Sequence, residues 1–237
     1  LYEEFPRDPR VRRYVNALNS IGIYCVIICS KKLNEKYSDE WNGNRVCRIP
    51  VAKKRASFFI TFFEYTLFTG ISSLLLFYYS FKYRFKIIHV HTLPDFLVFA
   101  ALWNKIFGSK IILDLHEIFP ELYMARTGVA EDSFKVKLIK LSEKLSLKLA
   151  NAVITIHENA RDVFISRNKN LEKKIHVVMN SVDPDEYNST YDSKVVGRIN
   201  PPNFIITYNG TVVKILNLPM IVEALALLKI KMPLDDF

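Results

Sequence analysis

Two short stretches of this 237-residue chain gather imidazoles and carboxylates where an apolar run is ending. His89-Val90-His91 closes the run that begins at Lys86, and Asp114-Leu115-His116-Glu117 closes the run that begins at Lys110. Side chains of an extended segment alternate between its two faces. His89 and His91 therefore share one face of their strand, and Asp114 and His116 share one face of theirs. Two later runs end in a similar way, with Thr155, His157 and Glu158 after one and Asn180 and Asp183 after the other. Imidazole gains and loses a proton near neutral pH, so a cleft lined this way can hydrogen-bond sugar hydroxyls and relay a proton. The same donor set also suits a divalent metal. A metallohydrolase and metal-free chemistry on a polyhydroxylated substrate both stay open on the residues alone.

For these tips to meet, the runs must lie side by side and point the same way. Asp8 followed by Pro9 starts a helix whose Val11, Tyr14, Val15 and Leu18 fall at helical spacing, and Gly22 ends it. Residues 23–29, 45–51, 86–91, 110–115, 152–156 and 175–179 read as strands. Between them, 95–107 reads as a helix closed by Gly108, and 159–167 as another. Asp132-Ser133 caps a helix in which Phe134, Leu138, Leu141, Leu145 and Leu149 form one stripe, with Lys137, Lys140, Lys144 and Lys148 on a solvated face. Strands apolar on both faces, alternating with helices, predict an α/β fold: a Rossmann-like parallel sheet with helices on both faces. Such sheets bind ligands beyond the carboxyl ends of their strands, where the histidines fall. Residues 181–203, with Pro184, Gly197 and Pro201-Pro202, read as a linker. A strand at 204–208, a turn at Asn209-Gly210-Thr211 and a helix near 219–230 then read as the opening of a second, truncated Rossmann-like domain.

Half of the residues are apolar and 13% aromatic, which excludes a disordered or low-complexity chain. Neither GxGxxG nor GxxxxGK[ST] occurs, so the usual dinucleotide and P-loop fingerprints are missing. Three cysteines make no disulfide framework; Cys25 and Cys29 sit in an apolar run as small buried hydrophobes, and a reducing compartment follows. The net charge is +9, and residues 1–86 hold 15 Lys and Arg against 7 Asp and Glu, which is +8. That basic third contains the run 57–80, with Glu64 as its only charge and nine aromatics. Lys53-Lys54-Arg55 and Lys82, Arg84 and Lys86 flank it. Three fates compete for this run: a buried helix, a helix lying in a membrane interface, and a spanning helix. Spanning is disfavoured, because Glu64 near the bilayer centre costs about 3 kcal/mol. The chain opens with Leu1 and charged residues rather than a signal peptide, and is expected to be a fragment.

The ordered set of motifs resembles family 4 glycosyltransferases of the GT-B type. Asp8-Pro9-Arg10-Val11-Arg12-Arg13, Ile88-His89-Val90-His91, Ile111 to Glu117, Ala152-Val153-Ile154-Thr155 and Asn180-Ser181-Val182-Asp183 are similar to that family's amino-terminal domain. Tyr208-Asn209-Gly210-Thr211 and Ile221-Val222-Glu223-Ala224-Leu225 resemble the start of its carboxy-terminal domain. The resemblance implies residues 1–198 as the acceptor-side domain, lacking its first strand, and 199–237 as the beginning of the nucleotide-sugar domain. It implies a glycosyl transfer that retains anomeric configuration and uses no bound metal or other cofactor. His116 matches a histidine that reaches the donor sugar and is the expected catalytic residue. His89, His91 and Glu117 are then expected to line the acceptor cleft, and Gly210, Thr211, Lys214 and Asn180 to serve the donor. Ile215 stands where the family has an arginine, Asn217 where it has a glycine, and Ser181 where it has the usual glycine. The paired glutamates of the family's E-x7-E motif would lie beyond Phe237, so the fragment alone is expected to be inactive. Expected partners are a nucleotide-sugar, a sugar or lipid-linked acceptor, and an anionic membrane surface met through 53–86, with no nucleic acid. The expected setting is cytoplasmic, peripheral on the inner face of the cell membrane, in cell-envelope polysaccharide or glycolipid synthesis. A membrane-recruiting half of a split transferase and a sugar-nucleotide epimerase of the same fold are the alternatives.

Overall fold

The computed structural model of the chain describes residues 1–51, 57–181, 208–210, 212 and 216–231. Contacts divide the chain into Leu1–Ser181 and Val182–Phe237. The boundary expected at residue 198 lies outside the described residues, as do the strand expected at 204–208 for all but Tyr208, and Asp183.

In the first unit, β1 (Val26–Ser30) pairs in parallel with β3 (Asn44–Ile49), and β2 (Ser38–Trp41) adds to β3 in the antiparallel sense. A second sheet runs β4 (Ile87–His91), β5 (Lys110–Leu115), β6 (Ala152–Thr155) and β7 (Ile175–Val177), every neighbour parallel. Because every neighbouring pair is parallel, all four strands end at one edge. Ile88, Val90, Ile111, Leu113, Leu115, Val153 and Ile175 are buried in one apolar core, as a sheet covered by helices requires.

The caps follow local chemistry. The carboxylate of Asp8 accepts hydrogen bonds from the amides of Arg10 and Val11, with Pro9 in the first turn, and so starts α1 (Pro9–Ser20). Gly22, with φ +76°, turns the chain out of that helix. The expected strand at 23–29 begins three residues later, since Ile23 and Tyr24 are exposed before Val26 enters the sheet. Residues 95–107 divide into a 3₁₀ helix, Asp95–Ala101, and α3 (Leu102–Ile106), with Gly108 at φ +92°. α4 (Phe119–Thr127) follows β5, and α6 (Glu158–Arg167) follows β6. The thiols of Cys25, Cys29 and Cys47 are free, with Cys29 and Cys47 buried.

One helix presents the opposite face from the one its pattern suggests, and another turns its acidic residue inward. α5 (Phe134–Leu149) buries Val136, Ile139, Glu143, Ser146 and Leu147, while Phe134, Leu141 and Leu145 of the expected core stripe are exposed. The reason is a polar anchor: Glu143 accepts from Arg167 of α6 at 3.0 Å, and Arg167 also pairs with Glu121 of α4. Holding that carboxylate inside turns the leucine stripe outward. α2 (Phe58–Tyr83), capped by the Ser57 hydroxyl, likewise buries Glu64, Phe68, Ser72 and Tyr79. Its outward side carries Phe59, Phe63, Leu67, Leu74, Tyr78 and Phe81. Among the described residues it is the one helix long and apolar enough to cross a membrane.

In the second unit, α7 (Leu218–Lys231) is preceded by Asn217 at φ +46°, a left-handed position where the resemblance expects glycine and which asparagine tolerates.

Candidate functional site

Asp114 is the hub of the first unit's carboxyl edge. It stands next to last on β5, its side chain has no exposure, and it is level with His91 on β4. The period-two reading holds: His89 and His91 stack on one face of β4 with ring centroids 4.2 Å apart. His89 Nε2 lies 3.6 Å, His91 Nδ1 3.3 Å and His116 Nε2 3.9 Å from Asp114 Oδ2. His91 Nδ1 also lies 3.3 Å from His116 Nε2. The turn that carries His116 is held by its own backbone, whose amide donates to the Thr92 hydroxyl at 3.2 Å, while the Thr92 amide donates to the Asp114 carbonyl at 3.0 Å.

The carboxylate's main partner comes from 104 residues earlier in the chain. Arg10, in the first turn of α1, forks onto Asp114, donating from Nε to Oδ2 and from Nη2 to Oδ1, each at 2.9 Å. Its third nitrogen, Nη1, donates to the Asn180 side chain at 2.8 Å and to the Val178 carbonyl at 3.0 Å. One guanidinium therefore ties α1, β5 and the chain leaving β7 together. Tyr14, one turn along α1, lays its ring against His89 at 4.9 Å and His91 at 5.7 Å.

Burial and these partners set the charges. Burial alone would raise the Asp114 pKa, but the close rings of His89 and His91 and the hydrogen bonds from Arg10 outweigh it and hold the carboxyl well below its ordinary range. Burial drives His91 down to about 3, against the pull of Asp114, so its ring is neutral at physiological pH. Burial lowers His116 as well. At neutral pH the Arg10 guanidinium matches the Asp114 carboxylate, and the His91 ring between them and His116 carries no charge. We assign the His91 proton to Nδ1, between Asp114 Oδ2 and His116 Nε2; His116 then accepts at Nε2 and keeps its own proton on Nδ1 as a donor. His116 and His89 side chains are 21% and 20% exposed, so a substrate can reach both, whereas His91 and Asp114 act from behind.

His89, His91 and Asp114 place one ligand atom each within 4.8 Å of one another, a spacing a divalent ion can use. Both Asp114 oxygens already accept from Arg10, however, so a metal would share a carboxylate whose charge a guanidinium already matches. Glu117 is exposed just beyond His116 and joins no ion pair or hydrogen bond of the cluster. Asn180, assigned by resemblance to the donor, is drawn into the cluster through Arg10. Gly210 is exposed in the second unit; Thr211 and Lys214 lie outside the described residues. His157 caps α6 instead, its Nδ1 accepting from the Ala160 amide at 3.0 Å. The residue that spacing did not single out is Arg10. Its signal was its place two residues after a helix-capping Asp-Pro start, which aims a first-turn side chain along the helix end.

Residues 10–186 match the family described as Glycosyltransferase Family 4. No curated protein matches the chain in sequence. Among solved structures, sucrose-phosphate synthase from Thermosynechococcus elongatus is similar at 17% identity with a TM-score of 0.55, over 77% of this chain and 44% of that one. A second structure of that synthase is similar at 15% identity with a TM-score of 0.50, over 75% of this chain and 86% of that one. The chain thus spans less than half of the first structure's length, and at these identities the likeness is one of fold, the GT-B fold of glycosyltransferases. With its parallel sheet and the match over 177 residues, the chain belongs to glycosyltransferase family 4.

Proposed function

We propose that this chain is the acceptor-side part of a retaining, metal-independent glycosyltransferase. It moves a sugar from a nucleotide diphosphate sugar to an acceptor in cell-envelope polysaccharide or glycolipid synthesis, at the cytoplasmic face of the membrane. The observation that carries the reading is the Asp114 cluster, in which Arg10 matches the buried carboxylate and His89 and His116 stand part-exposed at the carboxyl edge of a family 4 sheet. Neutral imidazoles with fixed tautomers make directional hydrogen bonds to sugar hydroxyls without attracting bulk ions. His116 is the group in the reaction's path: its Nδ1 proton faces substrate, and His91 and Asp114 fix the ring's orientation from the protein side. His89 and Glu117 border the acceptor, and Gly210, Thr211 and Lys214 serve the donor phosphates. Turnover is expected from a chain carrying a complete nucleotide-sugar domain, and residues 1–237 alone are expected to release no nucleoside diphosphate.

The test measures nucleoside diphosphate release from a panel of nucleotide sugars, with and without membrane extract as acceptor, in such an extended chain. His116→Ala is expected to lower kcat by about 10²-fold or more with the fold unchanged. Unchanged turnover in that variant would remove His116 from the mechanism. Chelation with EDTA is expected to leave the rate as it was, and its abolition of the rate would return the metal reading. Conversion of the nucleotide sugar with no acceptor present would identify an epimerase instead.

A further inference from the structure

The helix α2 wears its polarity inside out. Its one charge between Phe58 and Phe81, Glu64, faces the protein, whereas Phe59 and Leu74 on the far side are each 71% exposed. From Phe58 to Phe81, about 36 Å at the usual rise, that outward ridge carries no charge. It continues onto α3 and its C-cap, where Trp103 and Phe107 are exposed and Phe77 of α2 lies 6.2 Å from each of their rings. An uncharged aromatic ridge of this length is far from what a surface helix facing only water presents. At one end stand Lys82, Arg84 and Lys86, all exposed, and none in an ion pair among the described residues. Lys110 is exposed at the start of the neighbouring strand, and Lys53-Lys54-Arg55 precede the helix in sequence.

We propose that the outward faces of α2 and α3 dock in plane on a bilayer that carries anionic phospholipid. Charge selects this occupant over a second copy of the chain, because two such faces would bring their basic rims together, while anionic headgroups meet the rim with opposite charge. The inner contacts select an in-plane pose over a spanning one. Phe68 is packed in the main core and Tyr79 receives a hydrogen bond from Arg45 at 3.0 Å, so the helix is fixed to the fold along much of its length. Aromatic side chains at the level of the headgroups, with lysines reaching phosphate, are the ordinary chemistry of an interfacial helix. The exposed leucines of α5, with Lys137 and Lys144 beside them in sequence, repeat the pattern. Taken with the proposed transferase, on which this last step rests, the docked face implies an acceptor carried by a lipid.

The experiment uses the whole chain with Trp41→Phe, which leaves Trp103 as the only tryptophan. Vesicles of phosphatidylcholine alone, or with phosphatidylglycerol, are pelleted with the protein, and Trp103 emission is followed with acyl-brominated lipid as quencher. Binding only to the anionic vesicles, with a blue shift and quenching, is the expected result. A Phe or Leu side chain transferred from water is worth about tenfold in partitioning. Phe63→Ser with Leu67→Ser and Leu74→Ser should therefore weaken binding roughly 100-fold or more. Lys82→Gln with Arg84→Gln and Lys86→Gln should weaken it by about fivefold per charge. Circular dichroism of each variant verifies the fold. Equal binding to neutral vesicles, no quenching of Trp103, or a dimer in solution that the serine variant dissociates would each overturn the proposal. No donor or acceptor sugar is present, so a failure of the transferase reading leaves this result standing on its own.

Discussion

Replacing Arg10 by Gln removes the one cation that both oxygens of the buried Asp114 touch, at 2.9 Å each. Breaking a buried ion pair by deleting one partner costs about 3–5 kcal/mol, because the other charge stays behind without compensation. Here the lower end applies, since His91 and His89 remain at 3.3 and 3.6 Å and can share the charge. A loss of about 3 kcal/mol lowers the melting temperature of a unit this size by roughly 6–12 °C. The pH dependence makes the prediction specific. In the native protein His91 has its pKa lowered to about 3, below the unfolded value, so the folded state binds fewer protons in that window. Its contribution to stability is present above about pH 6.5 and is lost as pH falls toward 3, at up to about 1.4 kcal/mol per unit. Without Arg10, the bare carboxylate raises the His91 pKa, and an imidazolium takes over as counter-charge. The variant's deficit should then shrink by about 1–2 kcal/mol between pH 7.5 and pH 5.5. Urea unfolding at both pH values measures the deficit, and NMR titration of the His91 ring measures the shift. Arg10→Gln combined with Asp114→Asn should recover at least about 1 kcal/mol of the loss, since both buried charges are then gone. A deficit that is the same at both pH values, with strictly additive double-variant energies, would refute the role given to Arg10.

Asp95, buried at the head of the 3₁₀ helix with one carboxylate oxygen unpartnered, is pushed up to about 8, first by burial and then by the charge of Glu143. A raised carboxyl pKa means the folded state binds the extra proton, so stability falls as pH rises from about 4 toward 8. Asp95→Asn should gain about 3 kcal/mol over the native chain near pH 8.5 and nothing near pH 4, read by melting temperature across that range. His157→Ala should cost about 1 kcal/mol through loss of the α6 cap, with His157→Asn restoring most of it, as thermal unfolding will show.

How far these arrangements were legible depends on the distance over which their causes act. The facing of His89 with His91 follows from two-residue alternation, and strand apolarity puts β4 and β5 in one sheet, so most of the cluster was readable. The helix starts at Asp8 and Ser133 were readable for the same reason, because a cap is decided within three residues. Arg10 was readable as part of a motif but not as the partner of Asp114, because nothing local couples residues 104 apart. The inner face of α5 was misread because the leucine stripe is a local pattern, whereas Glu143 turns inward to meet Arg167, 24 residues on. Glu117 illustrates the converse. It sits next to a strand tip of functional residues, yet the chain turns immediately after His116 and leaves it in solvent.

The charges of the cluster also constrain where a diphosphate can be neutralised. Arg10 spends two of its three nitrogens on Asp114 and the third on Asn180 and Val178, leaving no free fork for a phosphate. His91 is neutral at physiological pH, and burial lowers His116 too, so neither ring is an anion's counter-charge there. The Arg10 guanidinium is thus already matched, which suits the proposed recognition of uncharged hydroxyls in the first unit. In the proposed reaction the charge of the leaving nucleoside diphosphate must then be met from outside this cluster. Among the residues singled out for the donor, Lys214 is the one that carries a cation in sequence, adjacent to the Ile215 that replaces the family's arginine. In that proposed reaction, the Arg10–Asp114 pairing also leaves a diphosphate no unmatched guanidinium at this sheet edge. Neutral imidazoles gain little from an anion that must shed water to reach them. In the proposed reaction, preference for a sugar over a phosphate at this edge rests on the Arg10–Asp114 pair, which confines both charges to each other.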